Sequence, residues 1–532
     1  FYDSKTKIWS GIERPSTLNP NANLGQIILN VFARTPDYVS QICADSGVQI
    51  TCDEMRLRTI RVAQNLTQMG YKKGDMIAVI SGNCENLAPI VFGCLTIGAI
   101  VNPLDPRFQI DDLEHMMNIT KPILIFCDEK NSEILRKTID LLKLKAKVII
   151  FESDSCRKVL EKTGFEDKFC YQHLGKSDEL PAIVCCSSGT TGKLKGVTLS
   201  HAQLIAQNDS FLIPATDNLL TFLSLYWITG WMYLLKGTLD GITRIITTQS
   251  FTPELAFKII EKYRVQSMYI GQDDIVQMLY EPKIKESNLQ TLKTIVSSGR
   301  YITSELEREF NEYFPNARIY NCYGMTECGG FITSECIEKK FGSCGSVIPN
   351  AQIKIVDEIG NEVGSGEVGE ILLKNSYTIL GYYGDQKATT HLIDLKGWIH
   401  SGDLGYFDAD GFLHFKSRSK EIFKYESMHV SPSDIENIIQ DMKGIIMVRV
   451  VGIPDTKTTN ELPTALIVKS DDCKISEQEV IDYVNERVVD YKKLRGGVYF
   501  VEEMPMTFSG KVKLEKIQEL AVKLYNEKNG TK

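Results

Sequence analysis

The chain reads as an α/β protein: a large N-terminal domain of mainly parallel sheets flanked by helices and closed by a small β subdomain, then a small mobile α+β C-terminal domain. Three observations predict this. Short β-branched runs alternate with longer amphipathic stretches through roughly the first 400 residues, a spacing that builds βαβ units with helices on both faces of parallel sheets. Those runs are MIAVI from Met76, ILIFC from Ile123, KVIIF from Lys147, SMYIG from Ser267 and TIVSSG from Thr294. After Asp357 the texture changes, and EVGSGEVGEILLK and GYFDADGFLHFK read as short strands joined by Gly and Asp turns. Finally, 532 residues are too many for one core, because single cores stop growing near about 250–300 residues.

Past about Arg418 the order is helix SPSDIENIIQD, strand VRVVGIPD, strand LPTALIVKS, helix SEQEVIDYVNERV and strand GVYFVEE. Ser431 is placed to cap the first of these helices, with Pro432 at its first position and Asp434 in its first turn. Ser476 and Glu479 have the spacing of a capping box on the second. This unit is predicted to be a separate domain, 417–532, behind a larger one, 1–416. The Lys-rich tail after Lys523 reads as mobile. The apolar run LLTFLSLYWITGWMYLL at 219–235 approaches the length of a short bilayer span, but Gly230 and several hydroxyls interrupt it. It reads as a buried strand running into a core helix, and no transmembrane segment is expected.

The composition, 43% hydrophobic and 24% charged with a net charge of −8, is that of an ordinary globular protein and gives no electrostatic basis for binding nucleic acid or anionic membrane. The 14 cysteines are scattered without a CxxC pair, which fits reduced, buried thiols inside a cell better than a disulfide framework or a zinc site. The opening residues FYDSKTKIW carry no basic-then-apolar secretory pattern, and KNGTK at 528–532 is not an S-K-L type address.

The strongest local signal is SSGTTGKLKG at 187–196, directly after the apolar run AIVCC. Glycines let the backbone turn and bring N–H groups up to an anion, hydroxyls add donors, and lysines supply charge; these are the requirements of a phosphate cradle. The spacing is not that of a Walker A loop, and the string by itself also fits a surface turn. It does not stand alone. NCYGMTE at 321–327, GWIHSGDLGYFDADGF at 397–412, SRSKE at 417–421 and SGK at 509–511 follow it. In that order and at those separations the motifs resemble the acyl-adenylate-forming superfamily, in particular its branch of acyl-CoA synthetases, coumarate–CoA ligases and beetle luciferases. The likeness runs from about Tyr38 to Leu520.

The resemblance implies an enzyme that uses ATP with Mg²⁺ to join a carboxylic acid to AMP and then passes the acyl group to coenzyme A. Residues 1–416 would form the AMP-binding domain, and 417–532 the C-terminal domain carrying a catalytic lysine. Ser187, Ser188, Gly189, Thr190, Thr191, Gly192, Lys193 and Lys195 would close over the β- and γ-phosphates and the departing pyrophosphate. Asn321 belongs to the nucleotide motif; Tyr323 and Gly324 would line the adenine face, Thr326 would hydrogen-bond the α-phosphate, and Glu327 would help hold Mg²⁺. Asp403 would accept both ribose hydroxyls with Arg418 beside it. Lys511 would bridge the substrate carboxylate and the α-phosphate, relieving the repulsion between two anions in the transition state. In the resembled ligases the small domain rotates after the first step, and Lys424 and His429 fall at positions that line the second-step site.

Four positions depart from the family pattern. Trp227 stands over the acyl site where the resemblance expects His; an indole packs and donates one hydrogen bond but carries no charge. A loop of small residues reads Gly299, Arg300, Tyr301, Ile302, so either bulk narrows the acyl or adenine pocket or Arg300 pairs with an anionic group of the acid. The hinge residue is Ser417. Ser427 replaces a glycine beside the pantetheine tunnel, where a side chain would obstruct the coenzyme A step and leave adenylation intact. The expectation is an acyl-CoA synthetase for a fatty or aryl acid, in the cytosol or, by resemblance, the peroxisome. The alternatives are an adenylating luciferase-like paralogue with another acceptor or weak ligase activity, and a non-catalytic nucleotide- or acyl-binding protein.

Overall fold

The computed structural model describes residues 1–16, 19, 22–188, 194–299, 302, 304–425, 428–455, 460–506 and 512–529. Gly189, Thr190, Thr191, Gly192, Lys193, Arg300, Tyr301, Ser427 and Lys511 lie outside them, as does the side chain of Ser188.

Met76–Ile80 is buried along its whole length, as a strand covered on both faces must be, and every residue of it is apolar. It pairs in parallel with Ile100–Leu104 on one side and Leu124–Cys127 on the other, and Lys147–Ile150 continues the sheet. On the far side of Ile100–Leu104 comes Pro181–Ser188, also parallel, after which the direction reverses at Leu194–Ser200 and Gly381–Tyr382, completing seven strands among the described residues. A nine-stranded sheet lies beside it, with Arg318–Met325, Thr294–Ser298, Ser267–Tyr269, Asn218–Thr221, Thr243–Ile246 and Val39–Cys43 in parallel at its centre. The runs read as strands at Met76, Ile123, Lys147, Ser267 and Thr294 all fall in these two sheets. The helix Leu87–Thr96 is buried on every side, which explains why it has no polar face.

The expected β subdomain is an antiparallel sheet in which Gln352–Val356, Gly369–Lys374, Ile399–Phe407 and Leu413–Arg418 follow one another, with Ile8–Ser10 added at the edge. The last part of the chain forms its own core around Ile445–Pro454, Glu461–Lys469 and Gly497–Phe500, covered by the helices Pro432–Gln440, Glu477–Asn485 and Leu514–Asn529. It meets the rest where the Gly444 N–H donates to the Tyr280 hydroxyl at 2.8 Å and the Ser433 hydroxyl donates to the Lys416 carbonyl.

Two local expectations need correction. Ser431 occupies the cap position but does not cap: its hydroxyl donates to the Lys416 carbonyl at 3.2 Å, across the domain junction. The tail after Lys523 is helical as far as Asn529: Leu524 and Tyr525 pack against the C-terminal core, and Lys528 pairs with Glu477 of the neighbouring helix. The capping box is present, with Ser476 N–H to Glu479 at 2.8 Å and Glu479 N–H to the Ser476 hydroxyl at 3.3 Å.

The apolar run at 219–235 resolves into the strand Asn218–Thr221 and the helix Ile228–Leu239, buried along nearly its whole length. Among the described residues no helix is long and apolar enough to cross a membrane. Leu234 is 1% exposed in this helix, so Leu234→Ala should cost about 2–5 kcal/mol and lower the urea midpoint. An unchanged midpoint would contradict its place in the core.

Candidate active site

The run AIVCC is wholly buried and delivers the chain to Ser187. There it turns back as an antiparallel hairpin, with Lys195 directly opposite Ser187 and Leu194 opposite Ser188. Ser187 and Lys195 therefore flank the mouth of the expected phosphate loop. The Ser187 hydroxyl donates to Glu327 Oε1 at 2.6 Å, and the Tyr382 hydroxyl donates to the same oxygen at 2.9 Å. Tyr382 comes from the short strand beside the hairpin, and the Lys195 ammonium lies 4.7 Å from its ring centroid. Glu327 itself, buried, rides on a single 3₁₀ turn, Thr326–Cys328, that follows the strand Arg318–Met325 and ends at Gly329 with φ +75°. Oε2 takes no hydrogen bond from the described residues.

A second buried carboxylate faces the same strand. The Tyr323 hydroxyl donates to Asp403 Oδ2 at 2.8 Å, and Arg418, opposite Asp403 in register, brings Nε to 3.6 Å from Oδ1. Burial pushes the Asp403 carboxyl up from its ordinary value, and Arg418 and the Tyr323 bond pull it back. The Tyr323 phenol is driven well up by burial and by the adjacent Asp403 charge, which keeps it a donor. Between the two carboxylates sits Gly324, where an added Cβ would fall 2.1 Å from the Gly330 carbonyl oxygen. Only glycine fits there. Thr326, half-buried, is next to Glu327.

Other residues singled out from the sequence stand differently. The Asn321 backbone and side-chain N–H groups both donate to Glu335 Oε2, at 2.8 and 3.0 Å, so its donors face the neighbouring strand, while its buried Oδ1 has no hydrogen-bond partner among the described residues. Trp227 precedes the helix Ile228–Leu239 and packs edge-on against Tyr226, with centroids 5.2 Å apart. Gly299 ends the strand Thr294–Ser298 at φ +91°, with nothing within 4 Å of an added Cβ; backbone conformation alone calls for glycine. Ser417 is buried in a strand and paired with Leu404. Lys424 and His429 are exposed and face each other across the hairpin formed by Phe423–Tyr425 and Met428–Val430; among the described residues neither bonds to the two carboxylates.

The site includes two residues that the motifs did not single out. Tyr382 lies 55 residues from Glu327 in the chain, and its only sequence signal is the aromatic pair in GYYG at 381–384. The Ser401 hydroxyl accepts the Asp403 N–H at 3.0 Å and so fixes the turn that presents the carboxylate.

A parallel α/β body, a hairpin aimed at a held carboxylate, a second carboxylate beside a buried tyrosine and a small C-terminal unit are the parts of an adenylate-forming enzyme. The model of the family described as AMP-binding enzyme matches residues 30–383, and that of the AMP-binding enzyme C-terminal domain matches 434–511. The chain belongs to this AMP-binding enzyme family, within the acyl-adenylate-forming superfamily. It is 28% identical over 495 residues to 4-coumarate–CoA ligase-like 9 of Arabidopsis thaliana, spanning 90% of this chain and 86% of that protein. It is 29% identical over 501 residues to a luciferin 4-monooxygenase of Luciola mingrelica, spanning 90% of each. The fold matches that of ATP-bound MatB from Rhodopseudomonas palustris with a TM-score of 0.84 at 22% identity, over 96% of this chain and 100% of that one.

Glu335, behind the nucleotide strand, gives a pH signature. Burial pushes its carboxyl from 4.5 up to about 7. Below 4.5 the group is protonated folded or unfolded; between 4.5 and about 7 the unfolded chain releases a proton that the folded chain keeps, so stability falls as pH rises through that window. Glu335→Gln should remove this slope, and its melting temperature should gain on the wild type steadily across the window. A constant difference would contradict the burial of this carboxyl.

Proposed function

We propose that the enzyme is an acyl-CoA synthetase: it adenylates a carboxylic acid with ATP and transfers the acyl group to coenzyme A. The observation that carries this reading is Glu327, whose Oε1 is held by Ser187 and Tyr382 while Oε2 takes no hydrogen bond from the described residues and would be left for a cation at the mouth of the hairpin. A Mg²⁺ ion takes one or two carboxylates and completes its shell with phosphate oxygens and water, so a single carboxylate here suits it. When bound it would neutralise charge on the departing pyrophosphate.

The chain's own groups do the rest. Asp403 has lone pairs for two ribose hydroxyls, and Tyr323, hydrogen-bonded to it, would line the adenine face. Thr326 donates to the α-phosphate, and the residues from Ser187 to Lys195 close on the pyrophosphate. Lys511 places its ammonium between the substrate carboxylate and the α-phosphate. A carboxylate oxygen attacks the α-phosphorus in line; the bond from that phosphorus to the bridging oxygen breaks and pyrophosphate leaves, with no proton transfer and no covalent enzyme intermediate. The thiol of coenzyme A then attacks the acyl carbon, losing its proton, and AMP departs with the oxygen that came from the acid. We assign Lys424 and His429 to that second step and Ser417 to the hinge. The 14 free cysteines, mostly buried, support a reducing compartment, and we place the reaction in the cytosol.

Carboxylate-dependent exchange of labelled pyrophosphate into ATP, with and without coenzyme A, tests the proposal. Exchange with thioester product is the expected result; exchange without thioester would transfer the assignment to a non-CoA acceptor and point to Ser427. Lys511→Ala should lower exchange at least about a hundredfold and leave ATP binding nearly intact; undiminished exchange would sink the assignment of this lysine. Tyr382→Phe leaves the Glu327 carboxylate with one hydrogen bond in place of two. The Mg²⁺ concentration for half-maximal exchange should rise, and an unaltered Mg²⁺ profile would show that Tyr382 does not orient the cation ligand.

A further inference from the structure

We propose that the acid-binding crevice ends against a wall of four aromatic rings, Phe211, Tyr233, Tyr269 and Phe331, so that the enzyme activates short-chain or single-ring acids and excludes long fatty acids. The inference rests on the adenylation reading above and names its substrate class.

In doubly wound sheets, ligands sit beyond the carboxyl ends of the parallel strands. Asn218–Thr221, Ser267–Tyr269, Thr294–Ser298 and Arg318–Met325 lie side by side and end at Thr221, Tyr269, Ser298 and Met325. Thr326 and Glu327 follow directly on the last, so the space in front of the other three strands adjoins the phosphate site. Trp227 and Gly299, the positions tied to the acid by sequence, border the same space from the turn after the first strand and from the end of the third. A carboxylate presented to the α-phosphate must send its tail along it.

Four rings pack together at the inner side of that space, against the strands. Phe331 stands opposite Gly324 in register, and its ring lies over Tyr269 with centroids 6.3 Å apart at 25°. Phe211 meets Phe331 edge-on at 5.1 Å, and Tyr233 of the helix Ile228–Leu239 packs against Tyr269 at 5.4 Å. The Tyr269 hydroxyl is 2.7 Å from the Ser298 hydroxyl oxygen, which pins the ring to the strand end just before Gly299. The four rings are 8% exposed or less. Behind them, the cavity that Phe211 lines with Met232 and Gly329 holds about 10 Å³, room for one water and not for a methylene chain. Parting the wall means moving rings packed in a core at crystal-like density, so an acid that fits in front of it is favoured over one that must displace it.

The test is pyrophosphate exchange by the wild type with butanoate, benzoate, dodecanoate and palmitate, repeated with Tyr269→Ala and Phe331→Ala. The wild type should favour butanoate or benzoate over palmitate by about tenfold or more, the discrimination that a closed apolar pocket supplies. Either alanine variant should shift the palmitate-to-benzoate ratio upward by about tenfold. Palmitate used by the wild type as well as benzoate would overturn the wall and leave adenylation standing, and this comparison needs no variant to fold. A ratio unmoved in folded variants would also overturn it. No exchange with any of the acids would overturn the adenylation reading itself.

Discussion

The carboxylate of Glu327 holds the site together. A buried carboxylate left without donors costs several kcal/mol, and here two hydroxyls from a different sheet supply them. Ser187 and Tyr382 belong to the seven-stranded sheet, whereas Glu327 follows a strand of the nine-stranded one. A few residues earlier, Tyr323 reaches the antiparallel sheet through Asp403. The segment from Tyr323 to Glu327 is therefore where three sheets meet. Its tightness is set by Gly324, which allows Phe331 and Gly330 to approach the backbone. Stability and site geometry are the same feature in this region: what closes the seams also aims the carboxylates.

The junction with the C-terminal unit has the same economy. Arg418 approaches Asp403 only because Ser417 and Arg418 still pair with the strand Ile399–Phe407. A rotation about Ser417 would unpair that strand end, withdraw Arg418 from Asp403 and break the bonds from Ser431 and Ser433 to the Lys416 carbonyl. The same turn would part Ile446 from the apolar cluster of the larger unit and the Gly444 N–H from the Tyr280 hydroxyl.

What could be read from the sequence was local. The buried strand from Met76 declares itself through an unbroken apolar run, and the capping box at Ser476 through a three-residue spacing. The positions of the expected phosphate loop, of the segment from Tyr323 to Glu327 and of Asp403 were legible because their motifs are contiguous. What could not be read depends on partners far away in the chain. Ser431 has the right residue and spacing for a cap, yet a carbonyl 15 residues away takes its hydroxyl. The tail continues as helix where Leu524 and Tyr525 meet the C-terminal core and Lys528 meets Glu477, 51 residues back. Asn321 points its donors at Glu335 across a strand pair, Tyr382 reaches Glu327 through sheet order, and the packed rings of Phe211, Tyr233, Tyr269 and Phe331 come from four separate segments.

The central claim is that an oxygen of the acid attacks the α-phosphorus of ATP. The most direct measurement is to supply an acid labelled with heavy oxygen in its carboxylate, together with ATP and coenzyme A, and to find the label by mass spectrometry. The account predicts one labelled oxygen in AMP for each thioester formed and none in pyrophosphate. Label recovered in inorganic phosphate, or thioester formed with unlabelled AMP, would contradict it.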